Sequence, residues 1–333
     1  MINHDQSCLI KINQTTPAPP KKMTPPNPIK TITGRFAPSP SGRMHLGNIY
    51  TAVLSWLSVK SRGGRWILRI EDLDPQRSKL EHARRIEDDL LWLGLEWDEG
   101  GLDGKGPNGP YLQSQRHHLY EAALDRLKTT GLCYPCTCTR ADIMATQAPH
   151  ESDGRVVYKG TCRPDVLPAP YPVSPGAAVR IAVPDEEISF TDVVKGPQRV
   201  NLASHCGDFV LRRGDGAWSY QLAVVVDDAL MGVTEVMRGD DLLLSAAQQI
   251  YLYRLLGYEP PRFAHVPLVC NDQGIRLSKR DASLSMEYLR RHHTQDDILG
   301  MVAHKAGLAA DSSPVSLKDL TDIFRSGRIA SSD

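Results

Sequence analysis

Residues 35–48, RFAPSPSGRMHLGN, combine two prolines, two glycines and a histidine at the start of a helix-like run. Each proline fixes φ at about −65° and removes a backbone donor, so the turn loses little entropy when it holds a ligand. A helix that begins around Arg43 or Met44 presents unpaired N–H groups and partial positive charge, which suit a phosphate. His45 would hydrogen-bond a triphosphate there, and Gly47 would leave room for a flat base. The segment predicts a nucleotide site, although HLGN alone is also typical of an ordinary helix start.

A second candidate for chemistry is GIRLSKRDAS, residues 274–283. Lys279 is a compact charge on a flexible stem, which can follow a phosphate as charge builds in a transition state. Taken alone, SKR is typical of a solvated surface turn. Its interpretation therefore depends on the first segment, from which most of an α/β domain separates it.

The elements around these segments predict an α/β fold. ITGRF and RWILRIED are predicted strands, and helices are predicted over residues 44–60 and from a Ser78 cap to Gly94. This alternation predicts right-handed crossovers, a parallel sheet and a ligand site at the carboxyl ends of the strands, where the first segment lies. Regular patterning returns with WSYQLAVVVDDALMGVTEVMRG, which indicates that a Pro-rich insertion splits the sheet.

Four of the seven cysteines lie between positions 133 and 162. This spacing fits a reduced compartment and a metal site better than a disulfide framework. In CYPCTC and YKGTC, the thiolates of Cys136, Cys138 and Cys162 suit a structural zinc. Spacing alone favours Cys133 as the fourth ligand, because Cys-x2-Cys is a common zinc knuckle. Buried reduced cysteines without a metal are the alternative.

Composition excludes some classes of protein. The 333 residues carry 39 Lys+Arg and 39 Asp+Glu, so no global basic field indicates nucleic acid, and RNA binding would need a local patch. No apolar run approaches the roughly 20 residues of a membrane span, and the N-terminus lacks a signal-peptide pattern. We therefore expect a cytoplasmic protein without a membrane partner. Residues 1–30 are Pro-rich and predict a disordered extension.

In this order, the two segments resemble the signature sequences of class I aminoacyl-tRNA synthetases. PSPSGRMHLGN is similar to the first signature and RLSKR to the second, which in this family normally carries a lysine at the position of Arg276. RFAPSPSG, RIEDLDPQRS, YQLAVVVDDALMGVTEVMRGDDLL and QIYLYRLLG resemble the catalytic core of glutamyl-tRNA synthetases, over about residues 31–285. Only residues 281–333 follow the second signature. The chain thus resembles the shortened paralogs, the glutamyl-queuosine tRNA(Asp) synthetases.

The resemblance implies a class I synthetase fold with a Rossmann-type parallel sheet, a zinc-containing insertion and a short helical C-terminal part without an anticodon-binding domain. The expected boundaries are 1–30 for the extension, 31–132 and 206–285 for the two halves of the catalytic core, 133–205 for the insertion and 286–333 for the C-terminal segment.

The resemblance also implies the residues that bind the amino acid. Arg35 and Arg238 can each make forked hydrogen bonds to a carboxylate, and Tyr220 can donate a third. Glu71 can pair with the ammonium group. The expected glutamate-binding residues are Arg35, Phe36, Ala37, Pro38, Ser39, Glu71, Tyr220 and Arg238. As alternatives, Tyr220 could be a core aromatic, and Arg238 could pair with Asp240 or Asp241.

ATP and metal ligands follow from the same resemblance. The expected ATP-binding residues are His45, Gly47, Asn48 and Lys279, of which His45 and Lys279 would be catalytic by stabilising the phosphates. The family's Cys-x-Cys and Tyr-x3-Cys pattern implies Cys136, Cys138, Tyr158 and Cys162 as the zinc ligands. A phenol ligand would require the metal to lower a pKa of about 10.

The implied activity is ATP-dependent activation of L-glutamate to glutamyl-adenylate without tRNA, with Mg²⁺ on the pyrophosphate. Glutamate would then pass to the queuosine base at the first anticodon position of tRNA(Asp). Catalysis of the first step is mostly positioning and charge stabilisation. We expect ATP, L-glutamate and the tRNA(Asp) anticodon loop as partners, and a monomer. Two alternatives are a fragment that charges the tRNA 3′ end and a catalytically silent tRNA-binding paralog.

Overall fold

The computed structural model describes residues 31–139, 141–142, 157–172, 174–269 and 284–326. The chain divides into two units, residues 1–31 and 32–333, and all the elements below belong to the second. The predicted extension over residues 1–30 and the GIRLSKRDAS segment lie outside the described residues.

The secondary structure alternates along the chain. The strands are β1 (Thr33–Phe36), β2 (Arg65–Leu68), β3 (Glu99–Gly100), β4 (Cys133–Cys136), β5 (Ala178–Ile181), β6 (Glu187–Asp192), β7 (Gly196–Asn201), β8 (Phe209–Arg212), β9 (Glu235–Gly239) and β10 (Arg262–Val266). The helices are α1 (Leu46–Lys60), α2 (Leu80–Trp92), α3 (His117–Thr129), α4 (Leu202–His205), α5 (Tyr220–Leu230), α6 (Leu243–Leu255), α7 (Met286–His292), α8 (Gln295–Lys305) and α9 (Leu317–Arg325). Among the described residues, no helix has the length and apolar character needed to cross a bilayer.

The central sheet has five strands in the order β10-β9-β1-β2-β3. All neighbouring pairs are parallel. Along β2, Ile67 packs into one core cluster while Trp66 and Leu68 pack into another, as the alternation of strand side chains requires. Helices α3, α5 and α6 contribute to the first cluster, and α1, α2 and α8 to the second. The predicted α/β fold with a parallel sheet is confirmed, and the structure covers both faces of the sheet.

Helix α1 packs very close to β1. A Cβ atom on Gly34 would lie 2.4 Å from Cγ2 of Val59, so only glycine permits this approach. The helix begins at Leu46, later than the predicted start, because His45 is its N-cap. The predicted Ser78 cap on α2 is wrong: Lys79 occupies the N-cap position and makes no side-chain cap hydrogen bond.

The region between the two halves of the sheet builds its own β-structure. Strands β4, β5 and β8 form a three-stranded antiparallel sheet, and β6 and β7 form a hairpin. Because β8 pairs with β5, this small sheet continues past residue 205, and the sequence-based domain boundaries stay predictions. The end of the hairpin's first strand is tied to the central sheet, since the Val193 N–H donates to the Phe263 carbonyl at 2.8 Å.

Candidate active site

A cavity of about 510 Å³ opens at the carboxyl ends of β1, β9 and β10. Most of the predicted ATP and glutamate residues line it: Phe36, Ala37, Pro38, Ser39, His45, Gly47, Asn48, Glu71, Tyr220 and Arg238. Arg35 is buried and absent from the lining. Lys279 and Arg276 lie outside the described residues. The sheet thus brings together residues as far apart in the sequence as Phe36 and Arg238, at the edge where parallel α/β sheets bind ligands.

The turn after β1 is anchored by its proline carbonyls. The Pro38 carbonyl accepts the Glu71 N–H at 3.0 Å, and the Pro40 carbonyl accepts the Lys79 N–H at 3.0 Å. The first bond joins the turn to the chain that leaves β2, and the second joins it to the start of α2. The rigid turn therefore fixes Glu71 at the cavity wall beside Ser39.

His45 caps α1 with its ring. Its Nδ1 accepts the backbone N–H of Gly47 at 3.2 Å, and the backbone N–H of His45 donates to Oδ1 of Asn48 at 3.1 Å. The prediction of unpaired N–H groups at this helix start is therefore wrong for Gly47. Because Nδ1 is an acceptor, the proton of the neutral ring lies on Nε2, which becomes a donor. The Asn48 side chain completes the capping box.

Gly47 also has a structural role, in addition to the room for a flat base that the sequence predicts. A Cβ atom at this position would lie 3.1 Å from Cε1 and 3.2 Å from Nδ1 of His45. A side chain there would crowd the imidazole that caps the helix. The glycine therefore protects the orientation of His45, which lines the same cavity.

Arg238 is a buried guanidinium held by neutral acceptors. Its Nε donates to Nε2 of His265 at 3.0 Å, and Nη1 donates to Oε1 of Gln249 at 2.9 Å and to the Tyr220 hydroxyl at 3.3 Å. Its Nη2 donates to the Leu242 carbonyl at 3.3 Å. Burial lowers the pKa of Arg238, and the nearby Arg35 charge lowers it further.

No described carboxylate forms an ion pair with Arg238, so the alternative pairing with Asp240 or Asp241 is wrong. Asp240 pairs instead with Lys195 at 2.8 Å. A desolvated positive charge with only neutral partners favours an anionic ligand, because a carboxylate would supply the missing compensation. The cavity beside Arg238 therefore suits an acidic molecule.

Arg35 belongs to a buried ion network behind the cavity. Its Nε donates to Asp228 at 3.3 Å, and Asp228 also accepts from Nη1 of Arg69 at 2.6 Å. Arg69 in turn reaches Glu71 at 3.1 Å. Burial raises the pKa of Glu71 while Arg69 opposes the shift. The structure thus places one predicted guanidinium at the cavity wall and the other behind it.

Both ends of the Lys279 segment meet this cavity. Val269, the last described residue before it, lines the cavity. After it, Ser285 forms a β-bridge with His45, and the Met286 N–H donates to the Met44 carbonyl at 2.9 Å. The chain before and after the second signature is therefore anchored beside the first.

The cysteine region gathers three thiols and one phenol. The sulfur atoms of Cys136, Cys138 and Cys162 lie within 4.8 Å of one another. The Tyr158 hydroxyl is 3.5 Å from the Cys136 sulfur and 3.8 Å from the Cys138 sulfur. Ligands on a tetrahedral zinc with bonds of about 2.3 Å lie about 3.8 Å apart, so these donors fit that ion.

Cys133 lies elsewhere, in the apolar cluster with Leu127 and Ile181. Burial raises the pKa of its thiol to about 12, which disfavours the thiolate that a metal needs. Of the two candidates for a fourth ligand, Tyr158 is the one that the structure brings to the three thiols.

A family profile and two similar proteins all indicate the same family of tRNA synthetases. The profile of class I tRNA synthetases (E and Q), catalytic domain, matches residues 31–312. The chain is 48% identical over 305 residues to the glutamyl-Q tRNA(Asp) synthetase of Symbiobacterium thermophilum, covering 90% of this chain and 94% of that protein. It is 45% identical over 298 residues to the protein of the same name from Nitratidesulfovibrio vulgaris, covering 88% and 92%. The chain belongs to the glutamyl-Q tRNA(Asp) synthetase family.

Solved structures agree on the fold of the synthetase. This chain superimposes with a TM-score of 0.74, at 29% identity, on a glutamate tRNA ligase from Elizabethkingia meningosepticum in complex with its amino acid. A glutamate-tRNA synthetase from Elizabethkingia anophelis gives 0.74 at 30% identity. The synthetase spans 64% and 65% of these longer chains, while 87% of its own length is covered.

Sequence reasoning missed several residues that shape this site of the synthetase. His265 and Gln249 hold Arg238, and Asp228 holds Arg35. A signal was available, because FAHV and VVVDDALMG each put polar residues inside apolar runs, where a buried polar group needs a partner. The sequence could not say which partner.

Proposed function

We propose that the protein activates L-glutamate with MgATP to form glutamyl-adenylate without needing tRNA, and then transfers glutamate to the queuosine base at the first anticodon position of tRNA(Asp). The observation that carries the amino-acid part is Arg238, a buried guanidinium beside the cavity whose partners are all neutral. The names of the relatives support the tRNA part.

In this proposal, different residues of the cavity wall recognise the two ends of glutamate. Arg238 and the Tyr220 hydroxyl bind the side-chain carboxylate, because both line the cavity and already lie in hydrogen-bond contact. Glu71 binds the ammonium group, with Arg69 favouring its ionised form. Arg35 lies behind the cavity wall, where it pairs with Asp228 and adds positive charge near the bound glutamate. The α-carboxylate is left free to react.

ATP would bind at the start of α1. The Nε2–H of His45 donates to a phosphate oxygen, and the positive end of the helix adds to the attraction. Lys279 is expected to supply a second positive charge from the segment anchored beside His45. An oxygen of the glutamate carboxylate attacks the α-phosphorus, the bond to the bridging oxygen breaks, and pyrophosphate leaves. The Mg²⁺ that accompanies ATP neutralises part of the phosphate charge.

In the second step, a hydroxyl of the queuosine cyclopentenediol attacks the carbonyl of the adenylate. An ester forms, AMP leaves with the electron pair of the broken acyl-phosphate bond, and the proton of the attacking hydroxyl passes to solvent. The similarity to glutamate-tRNA ligases favours a second candidate, in which the acceptor is the 3′-terminal adenosine of tRNA.

A transfer assay distinguishes the two acceptors. We expect radiolabelled glutamate to be attached to tRNA(Asp) that contains queuosine and not to the same tRNA without it. The label should survive enzymatic removal of the terminal adenosine. Label on both tRNAs that is lost with the terminal adenosine would instead support 3′-end charging. Absence of glutamate-dependent pyrophosphate exchange would reject both and favour a silent tRNA-binding paralog.

We also propose that Cys136, Cys138, Cys162 and Tyr158 hold one structural zinc. The ion would join β4 to the segment around Tyr158, and its binding free energy would add to the stability of this region. Burial raises the pKa of the Tyr158 hydroxyl, so a bound cation must lower it for the phenolate to form. The Arg180 guanidinium lies 3.7 Å from the Tyr158 ring centroid, a cation–π contact that helps to hold the ring in place.

Metal content checks this ligand set. We expect Tyr158→Phe to lower the zinc affinity by about tenfold or more, because the variant loses one of four ligands. Cys133→Ala should leave zinc content unchanged and act only on stability. Atomic absorption and competition with a coloured chelator measure both. If Cys133→Ala releases zinc while Tyr158→Phe keeps it, Cys133 is the fourth ligand.

A further inference from the structure

A chain of three buried side chains runs from the insertion to the glutamate pocket. Oδ2 of Asp192, at the end of β6, lies 2.6 Å from Nδ1 of His265 on β10. Nε2 of His265 lies 3.0 Å from Nε of Arg238 on β9. The register of the sheet pairs His265 with Arg238 directly. Both Asp192 and His265 are essentially without solvent exposure.

The donor and acceptor roles along this chain are fixed by chemistry. The Nε of arginine can only donate, so Nε2 of His265 must accept. The ring proton of His265 therefore lies on Nδ1 and is donated to Asp192. Burial lowers the pKa of His265 even though Asp192 opposes the shift, so the ring is neutral near neutral pH. Protonation would set Nε2–H against the Arg238 Nε–H.

The orientation of the Asp192 carboxylate is fixed as well. Its Oδ1 accepts the N–H groups of Val194 at 3.0 Å, Lys195 at 2.9 Å and His265 at 3.1 Å. Hydrogen bonds to His265 and to the backbone lower the pKa of Asp192 against the effect of burial, so the carboxylate is ionised. These bonds to Oδ1 fix the whole carboxylate, so the other oxygen, Oδ2, is held facing the imidazole.

We propose that Asp192 and His265 are positioning residues for amino-acid recognition: they hold the Arg238 guanidinium through a neutral acceptor, so that no described carboxylate pairs with it directly and its Nη atoms face the substrate carboxylate. This rests on the proposed function of the cavity. A carboxylate in place of His265 would neutralise Arg238 and weaken its preference for an anion. A neutral imidazole fixes the guanidinium without doing so.

Asp192→Asn tests the proposal without touching the pocket. Three backbone donors keep the amide oxygen at the Oδ1 position, so the amide NH₂ must face Nδ1 of His265. The imidazole then changes tautomer and turns an N–H toward Arg238. We expect the KM for glutamate to rise about tenfold, the scale of one hydrogen bond to a charged group, with the KM for ATP unchanged. Pyrophosphate exchange measures both constants.

Two further variants separate positioning from general damage. His265→Gln carries an amide oxygen that can accept from Arg238 without needing Asp192, so the KM for glutamate should stay within about threefold of wild type. Adding Asp192→Asn to His265→Gln should cause no further rise, which is the signature of coupled residues. The matched control is Glu99→Gln. Glu99 is a buried carboxylate on β3, three strands away from β9, and it accepts from Tyr111 and Asn108 and pairs with Arg65.

The outcomes decide between positioning and structure. A rise in glutamate KM in Asp192→Asn that disappears in the His265→Gln background supports the proposal. Equal changes in both substrate constants, or effects of the same size in Glu99→Gln, overturn it. Absence of glutamate-dependent pyrophosphate exchange in the wild-type protein would instead reject the proposed function. Failure of the positioning proposal and failure of the proposed function are therefore distinguishable.

Discussion

Arg238→Gln is expected to raise the KM for glutamate at least about 100-fold while leaving the KM for ATP unchanged. The guanidinium is the only described cation in hydrogen-bond contact with Tyr220 on the cavity wall. Removing one partner of a buried charge pair costs about 2–5 kcal/mol, because the remaining carboxylate is left desolvated. Pyrophosphate exchange at varied glutamate concentration measures the effect.

Arg126→Gln is the matched control for this variant. Arg126 lies on α3 and donates to the Leu256 carbonyl at 2.6 Å and to the Tyr258 hydroxyl at 3.2 Å, far from the cavity lining. The Arg126→Gln variant should keep the wild-type KM for glutamate and the wild-type KM for ATP. Unchanged glutamate affinity in Arg238→Gln would show that the carboxylate binds elsewhere and would remove the basis of the proposed clamp.

Much of the sheet could be predicted because its strands carry local signals. RWIL carries three consecutive apolar residues, Trp66 to Leu68, and the segments before and after it have helical periodicity. An order of strand, helix, strand and helix is enough to predict a parallel sheet. The start of α1 could not be placed, because histidine is not among the residues that usually cap helices. The capping role of His45 depends on Gly47 and Asn48 together.

The cysteine region shows how a spacing can mislead. Cys133-x2-Cys136 is typical of a zinc knuckle when it lies in a turn, but here it forms strand β4. Side chains three positions apart in a strand point to opposite faces, so Cys136 reaches the metal cluster while Cys133 enters the core. The spacing does not say whether the segment is a turn or a strand.

The ion network was beyond prediction for a different reason. Arg35 and Asp228 are 193 positions apart, and Asp192 and His265 are 73 apart. Their pairing depends on strand order and register, which a single sequence does not fix. The sequence therefore indicated many of the residues that line the cavity, but it did not indicate which arginine lies at the cavity wall and which in the buried network.

His45→Asn is expected to lower the rate of adenylate formation about 100-fold or more with little change in stability. Asparagine is among the best N-cap residues, so its side-chain oxygen can replace Nδ1 as the acceptor at the start of α1. The asparagine side chain is too short to place a donor where the Nε2–H of His45 lies. One preorganised donor to a developing charge contributes about 10²–10³-fold to kcat. Pyrophosphate exchange and denaturant unfolding measure the two effects separately.

His45→Ala should show the same loss of rate together with about 1 kcal/mol of lost stability, because it removes both the donor and the cap. Ser316→Ala isolates the second effect: Ser316 caps α9 by accepting the Asp319 N–H at 3.1 Å, and it does not line the cavity. That variant should lose similar stability and keep full activity. Wild-type exchange in His45→Asn would mean that the imidazole serves only as a helix cap, and that the phosphates are bound by other groups.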